Sequence, residues 1–171
     1  MYYHFQGGDN IFLPVFRAEH KRLHLEARYN YEDLETFSGW VGYNLEGGEK
    51  ITYAFTPMAG IARGLTNGFA LGLEFSVTVG KFELYSESEY LWDQASTEYN
   101  YFYSWTDLTF SPRDWWWVGI SGQRTRLYQT DLEYQRGVML GAVAGNWEIS
   151  GYYYNAGFGE TFVLLDVTFS F

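Results

Sequence analysis

Side chains alternate between apolar and polar at every second residue through most of this chain, and this period of two restricts its possible folds more than any other feature. In the final stretch, residues 161–171, the apolar set is Val163, Leu165, Val167, Phe169 and Phe171. The alternate positions include Asp166, Thr168 and Ser170. Successive side chains of a β-strand point to opposite faces, so this stretch is predicted to be a strand with one apolar and one polar face.

Similar segments follow one another along the chain, separated by short turn signals. The clearest of them places in one phase Phe69, Leu71, Leu73, Phe75, Val77 and Val79. The others cover residues 1–6, 11–19, 23–32, 37–46, 50–63, 81–93, 100–110, 115–128, 132–144 and 147–155. Pro14 marks an edge-like or bulged place in the ladder of its strand, and Gly119 and Gly122 favour a bulge in theirs. The pattern predicts an all-β protein of about twelve antiparallel strands, each of roughly 9 to 13 residues.

The terminal apolar ladder, which ends in Phe171, resembles the closing strand of bacterial outer-membrane β-barrel proteins, where that strand serves as an assembly signal. The other segments extend the resemblance, as a pattern, over the whole chain. It implies a single transmembrane up-and-down antiparallel β-barrel over residues 1–171, of roughly 10 to 12 strands with short loops and no plug domain. It also implies a porin-like protein of the bacterial outer membrane. Its partners would be outer-membrane lipids, lipopolysaccharide and, during biogenesis, the barrel-assembly machinery.

The composition is compatible with that class. Aromatic residues make up 22% of the chain, and membrane barrels concentrate them in girdles at both interfaces. No apolar stretch approaches the roughly 20 residues that a transmembrane helix needs. A mean hydropathy of -0.26 would suit a soluble protein, but in a barrel half of each strand faces the interior and lowers the average. The chain begins Met1-Tyr2-Tyr3-His4 without a visible signal peptide, so either an export signal has been removed or the protein is not exported.

Charge is distributed unevenly between alternate turns. If the last strand ends at the periplasmic side, the outer turns carry Asp9, Asp33, Glu35, Asp93, Glu98, Asp131 and Glu160. The inner turns then carry Lys21, Arg22, Lys50, Lys81 and Arg113, with Glu49 and Asp114 as acidic exceptions. An acidic outer rim predicts a preference for cations. The formal net charge of -10 also argues against a nucleic-acid partner, because phosphate binding needs clustered Lys and Arg.

Two groups of charged residues are candidates for a functional role. Inward positions of the predicted strands form a lumen-lining set, which comprises Arg17, Glu26, Arg28, Glu74, Lys81, Glu83, Glu87, Glu89 and Asp107. These side chains either line a permeation path or neutralise one another in a filled interior. Outward positions near the outer strand ends form an expected lipopolysaccharide contact, which comprises Arg63, Arg124, Arg126 and Arg136. Guanidinium groups bind phosphate in a fork geometry, although snorkelling or pairing with the acidic rim would also explain them.

Aromatic residues divide between the interior and the expected girdles. Tyr29 and Tyr31 are expected at the outer interface. The interior set comprises Trp40, Tyr85, Tyr101, Tyr103, Trp105, Tyr152 and Tyr154. Such rings either stack on sugars or simply pack against one another.

The sequence contains no constellation that predicts catalysis. The three histidines, His4, His20 and His24, are too few and too scattered to predict a metal site, and no cofactor is expected. No Gly-x-Ser-x-Gly elbow is present, so an enzyme is not expected. The expected function is passive diffusion or transport of small solutes with cation preference. The alternatives are a structural barrel without an open pore and a soluble ligand-binding β-barrel, which would bury its apolar side chains inward.

Overall fold

Fourteen β-segments and one short 3-10 helix form the regular structure of the described chain. The computed structural model describes residues 2–5, 10–125 and 133–171. In chain order the strands are β1 (Tyr2–Phe5), β2 (Asn10–Phe12), β3 (Val15–His20), β4 (Leu23–Tyr29), β5 (Phe37–Tyr43), β6 (Leu45–Gly47), β7 (Ile51–Arg63), β8 (Gly68–Val79), β9 (Phe82–Asp93), β10 (Tyr101–Arg113), β11 (Trp116–Thr125), β12 (Glu133–Ala144), β13 (Trp147–Tyr154) and β14 (Phe162–Phe169). The 3-10 helix spans Thr97–Tyr99. Within the described residues, no helix has the length and apolar character needed to cross a membrane.

All of these segments belong to one antiparallel sheet. Its hydrogen-bonded order is β2-β1-β14-β13-β12-β11-β10-β9-β8-β7-β5-β4-β3, with β6 beside β7. Consecutive long strands are joined as hairpins, as the alternating apolar pattern predicts. The predicted all-β antiparallel architecture is confirmed.

Fourteen segments are present where the sequence predicts about twelve strands, because two strands are interrupted. A proline explains the first interruption. Gly42 of β5 pairs with Met58 of β7, and Leu45 of β6 pairs with Phe55 in the same register. Pro57 lies between those two partners, and the ladder is interrupted there because proline has no N–H to donate. β5 and β6 are therefore two halves of one strand.

A second proline, Pro14, lies where the chain changes its neighbouring strand in the sheet. Only Leu13 and Pro14 separate β2 from β3, and β2 pairs with β1 whereas β3 pairs with β4. Where the sequence predicts an edge-like or bulged place at Pro14, the structure has a break between two segments, and the sheet has about twelve strands once both split strands are joined. β2 and β3 are also the two ends of the hydrogen-bonded order, so the ladders among the described strands do not by themselves form a closed ring.

The connections lie at two opposite ends of the sheet. The end that we call the turn end has short connections at residues 21–22, 48–50, 80–81, 114–115 and 145–146. The other, the loop end, has connections at residues 30–36, 64–67, 94–100 and 155–161. Two of the tight turns use the left-handed backbone conformation that glycine adopts without strain, with φ of 60° at Gly80 and 63° at Gly145.

The two faces of the sheet differ in polarity. The outer face exposes large apolar side chains, among them Val41, Ile61, Leu71, Phe82, Ile120, Val138, Leu140 and Val167. The inner face buries charged ones, among them Glu26, Arg28, Glu87, Glu89 and Asp107. The sheet curls around this inner face, because Arg28 of β4 lies 3.0 Å from Glu87 of β9 although three strands separate them. In a flat sheet the same separation would be about 19 Å.

Two apolar clusters occupy the rest of the inner face. One consists of Trp105, Met139, Tyr152, Tyr154, Phe162 and Leu164. The other consists of Trp40, Met58, Ala62, Ala70 and Leu91. Trp40 packs flat against Gly60, where a β-carbon would come within 2.4 Å of the indole ring. The inner face is therefore packed with aromatic rings on both sides of the charged residues.

One expectation about the girdles is wrong. The sequence predicts that Tyr31 faces outward, in the aromatic girdle at the outer interface of the membrane. Its side chain instead points to the inner face of the sheet, where its hydroxyl group donates to Glu87 Oε1 at 3.0 Å. The alternation of β4 ends at Tyr29, and Asn30 has a positive φ of 58°. The left-handed conformation of Asn30 breaks the strand alternation, so the phase of β4 no longer applies to Tyr31.

The expected position of a bulge is also wrong. β11 keeps a single register with β10 from Val118 to Arg124, so Gly119 and Gly122 lie in a regular ladder. The irregularity lies in β10 instead, between Phe110 and Arg113. Glycine has no side chain to assign to a face, and this hid the regular alternation of β11 in the sequence.

Candidate functional site

The centre of the inner face is the guanidinium group of Arg28. This side chain is buried, and its Nε donates to Glu26 Oε2 at 2.5 Å. Its Nη1 donates to Glu87 Oε1 at 3.0 Å and to Glu89 Oε2 at 3.4 Å. Glu26 and Arg28 are two residues apart on β4, as Glu87 and Glu89 are on β9, so the period of a strand directs all four inward. The curl of the sheet then brings the two pairs together.

Two aromatic rings enclose the same guanidinium group. Arg28 Cζ lies 4.6 Å from the centre of the Tyr31 ring and 4.8 Å from that of Trp40. A cation over an aromatic face is stabilised by the ring quadrupole, and more strongly where water is excluded. These rings therefore fix the position of Arg28 and shield it from solvent.

A second guanidinium group borders the first. Arg17 of β3 pairs in register with Glu26 of β4, and its Nε donates to that carboxylate. Its Nη2 donates to Glu74 Oε1 of β8 at 2.9 Å. The side chain of Arg17 is 47% exposed, in contrast to the buried Arg28. Arg17 therefore borders solvent, whereas Arg28 does not.

Acidic groups outnumber basic ones in this network, which we call the ionic cluster. Five carboxyl groups lie within 4.0 Å of its two guanidinium groups, and they belong to Glu26, Glu32, Glu74, Glu87 and Glu89. Burying unpaired charge is costly, so the excess carboxylates need hydrogen-bond donors, protons or further cations. Donors are supplied by Trp40 Nε1 to Glu32 at 3.0 Å and by Tyr101 to Glu89 at 2.7 Å.

Asp107 belongs to a separate network. Its Oδ1 accepts from Trp105 Nε1 at 2.6 Å and from Ser121 Oγ at 2.5 Å, and its Oδ2 accepts from Tyr152 at 3.2 Å. Tyr154 continues the network, since its hydroxyl group lies 2.5 Å from Ser121 Oγ. This network links the rings of Trp105 and Tyr152 to one carboxyl group. Of the aromatic residues expected in the interior, Trp105, Tyr152 and Tyr154 pack together here, whereas Trp40 lies in the other apolar cluster.

The remaining residues of the predicted lumen-lining set lie near the turn end. Lys81 is exposed in the turn between β8 and β9, and its Nζ donates to the carbonyl oxygen of Pro112 at 2.8 Å. Glu83 is also exposed and accepts from Thr78 Oγ1 at 3.2 Å. The ionic cluster thus unites Arg17, Glu26, Arg28, Glu74, Glu87 and Glu89, whereas Lys81, Glu83 and Asp107 lie outside it.

The described arginines of the predicted lipopolysaccharide contact are exposed near the loop end. Arg124 and Arg136, on the neighbouring strands β11 and β12, line a groove of 430 Å³ together with Tyr134. Arg124 Cζ lies 5.3 Å from the ring of Phe102. Arg63 is on β7, four positions from β11 in the sheet order, and does not line this groove. Arg126 lies outside the described residues.

Sequence reasoning omitted Glu32 and His24 from the site. Both had an inward phase in the predicted strand over residues 23–32, and both are buried. Glu32 follows the end of β4, and its Oε1 accepts from Ser38 Oγ at 2.5 Å. The phase was therefore a usable signal for His24, which lies within β4, but not for Glu32, which follows the left-handed Asn30. The sequence does not show which strands face either residue.

Comparison of the chain with protein-family models, with curated proteins and with solved structures finds no match. The site must therefore be interpreted from its own geometry.

Proposed function

We propose that this chain is an integral β-barrel of the bacterial outer membrane whose interior is closed by the ionic cluster and the aromatic side chains around it. The observation that carries the proposal is the polarity of the two faces. Large apolar residues are exposed on the outer face, and the inner face buries a group of charged residues between two apolar clusters. A transmembrane barrel needs this arrangement, because lipid surrounds it and polar groups must be satisfied inside.

Contacts between the ends of the sheet order support closure into a barrel. Phe16 of β3 stacks with Phe171, which follows β14, with ring centres 6.4 Å apart. β3 is one end of the order, and only β1 and β2 extend beyond β14 at the other. Because β2 and β3 are successive parts of the chain, a continuous strand through Leu13 and Pro14 would complete the ring.

The apolar outer face also argues against a soluble barrel. Ile120, Val138 and Leu140 are between 58% and 59% exposed on the adjacent strands β11 and β12. Contiguous apolar surface of this kind is rare on soluble monomers, which bury such residues. The long strands have 10 to 13 residues from β7 to β12, enough for the roughly 9 to 11 that cross a bilayer at a tilt.

The packing of the interior favours a closed barrel over an open pore. Arg28, Leu91, Tyr154 and Leu164 are at most 2% exposed, so side chains rather than water fill this part of the interior. A passive channel for small cations is the second candidate, and the excess of carboxyl groups in the ionic cluster favours it. Solutes would pass only after the Arg28 network had rearranged.

Detergent dependence tests the membrane proposal. The full chain should require detergent or lipid to remain monodisperse, and it should float with vesicles in a density gradient. A protein that is monodisperse without detergent and does not bind vesicles would refute the proposal and favour the soluble barrel.

Conductance in a planar bilayer then distinguishes the two candidates. Wild-type protein should insert without steady conductance, whereas Arg28→Ala should produce cation-selective openings. Arg63→Ala is the matched control, because it removes an exposed arginine on the outer face. This variant should show no steady conductance. Steady open conductance of the wild type would favour the channel.

The exposed arginines near the loop end support a proposal about one lipid partner. We propose that Arg124 and Arg136 contact the phosphates of lipopolysaccharide in the outer leaflet, since they share a groove near the loop end. The terminal strand β14 and Phe171 are the proposed contact with the barrel-assembly machinery.

A further inference from the structure

A histidine and two glutamates meet at the edge of the ionic cluster. His24 and Glu26 are two residues apart on β4 and point to the inner face, where Glu74 of β8 joins them. One ligand atom from each of the three lies within 4.8 Å of the other two. His24 Nε2 is 3.1 Å from Glu26 Oε1. Imidazole nitrogen and carboxylate oxygen are together a common donor set for divalent transition metals.

The histidine ring has an unsatisfied nitrogen. His24 is 3% exposed, and its buried Nε2 makes no hydrogen bond of regular geometry with the described residues, although Glu26 Oε1 lies 3.1 Å away. Its other nitrogen, Nδ1, lies 3.3 Å from Glu19 Oε1. When Nδ1–H donates to that carboxylate, the lone pair is on Nε2 and faces the oxygen atoms of Glu26. Histidines that bind metals are held in the same way, with the distal N–H donated to a carboxylate.

The charge around these residues also favours a bound cation. The ionic cluster has five carboxyl groups for two guanidinium groups, as described above. Two buried lone-pair donors that face one another repel unless a proton or a metal ion lies between them. A divalent ion bound here would neutralise part of the excess negative charge.

We propose that His24 Nε2 and carboxylate oxygens of Glu26 and Glu74 form a site for a divalent transition metal of the Zn²⁺ type. Ligand atoms about 2.1 Å from such an ion are about 3.4 Å apart in a tetrahedral arrangement, so modest side-chain rotations bring the three into range. The proposal does not depend on the membrane, because all three side chains are on the inner face of the sheet in either case.

Arg17 competes with the metal in this arrangement. Its guanidinium group donates to both Glu26 and Glu74, which are the two carboxylate ligands. Because the Arg17 side chain is 47% exposed, it can leave toward solvent when an ion binds. Removing Arg17 should therefore strengthen metal binding, a result that a purely structural role for His24 does not predict.

The test measures metal binding by the full chain, purified without a histidine tag in detergent micelles and freed of metal with a chelator. Zn²⁺ is titrated calorimetrically, and Co²⁺ is added separately to record its visible absorption bands. Wild-type protein should bind one ion per chain and give a Co²⁺ spectrum with a nitrogen ligand, whereas Mg²⁺ should bind much more weakly. His24→Gln and Glu74→Gln should each weaken Zn²⁺ binding at least about tenfold.

Two control variants make the result specific. His20→Gln changes an exposed histidine on the same hairpin and should leave binding unchanged. Arg17→Gln should tighten binding by several fold. Circular dichroism of each variant checks its folding, and Glu74→Gln keeps the test valid if His24→Gln does not fold.

Three results would overturn the proposal: no Zn²⁺ binding by folded wild-type protein, binding that survives both ligand substitutions, or binding that is lost with His20. In the first case His24 carries a proton, and in the other two the ion binds elsewhere. Each of these results can occur with or without detergent dependence, so failure of the metal site is distinguishable from failure of the membrane proposal.

Discussion

Replacing Arg28 by methionine should strongly destabilise the protein, because this side chain is the buried cation at the centre of the ionic cluster. Methionine keeps much of the side-chain length but removes the charge and all of the donors. Its introduction leaves the surrounding carboxyl groups buried without their central cation. We expect the free energy of unfolding to fall by about 4 kcal/mol.

The magnitude follows from the contacts of the guanidinium group. Arg28 donates to Glu26 at 2.5 Å, to Glu87 at 3.0 Å and to Glu89 at 3.4 Å. A hydrogen bond to a charged group contributes about 1.5–3 kcal/mol, so three independent ones would contribute roughly 4.5–9 kcal/mol. The carboxylates keep other donors, such as Tyr101 for Glu89, so the loss should fall below that range. Breaking a buried ion pair by removing one partner costs about 3–5 kcal/mol, which sets the expected value.

Urea unfolding in lipid vesicles, followed by tryptophan fluorescence, measures the loss. Trp40 is a suitable reporter because its ring lies 4.8 Å from Arg28 Cζ. Arg63→Met is the matched control, and it should change the free energy of unfolding by no more than about 0.5 kcal/mol because Arg63 is exposed. Adding Glu87→Gln to Arg28→Met should cost less than the sum of the two single changes. A loss below about 1 kcal/mol for Arg28→Met would refute the central role of this cation.

Three further changes test other parts of the structure. Val138→Arg places a charge on the outer face of β12 and should lower the free energy of unfolding in vesicles by about 2–4 kcal/mol. Val138→Leu should refold in vesicles as the wild type does. Equal refolding of the two variants would contradict a lipid-facing position of Val138. Asp107→Asn removes a charged acceptor from a buried network and should cost about 1–3 kcal/mol in urea unfolding, so an unchanged midpoint would show that this carboxyl group is dispensable. Replacing Arg124 and Arg136 together by glutamine should reduce the thermal stabilisation that added lipopolysaccharide provides, whereas Arg63→Gln should reduce it less because Arg63 lies outside their groove. An equal effect of all three arginines would indicate general charge attraction rather than a site.

Much of the fold is predictable because strand periodicity is a local property. The alternation in residues 69–79 and 81–93 predicts both strands and the tight turn at Gly80, and the structure has β8 and β9 there. Pro14 predicts an irregular place in the ladder, and β2 and β3 are separated there. These signals need no knowledge of the neighbouring strands, because each depends on one residue or on the two-residue repeat.

The candidate site was predictable only as a set of inward residues. Glu26 and Arg28 belong to the inward phase of β4, and Glu87 and Glu89 to that of β9, so each pair could be assigned to a face. Tyr31 could not, because the left-handed backbone at Asn30 ends the phase one residue earlier. Once the regular alternation is broken, the sequence no longer reports which way a side chain points.

The sequence by itself determined the strands, most of their turns and the face to which most side chains belong, since these depend on neighbours within a few residues. Only the tertiary structure decided which charges meet. Arg28 and Glu87 are 59 residues apart in the chain, with three strands between theirs in the sheet, and they touch only because the sheet curls. The same curl brings Glu74 of β8 to His24 and Glu26 of β4, which creates the proposed metal site. Curvature depends on the twist and packing of all the strands together, so no single segment encodes it.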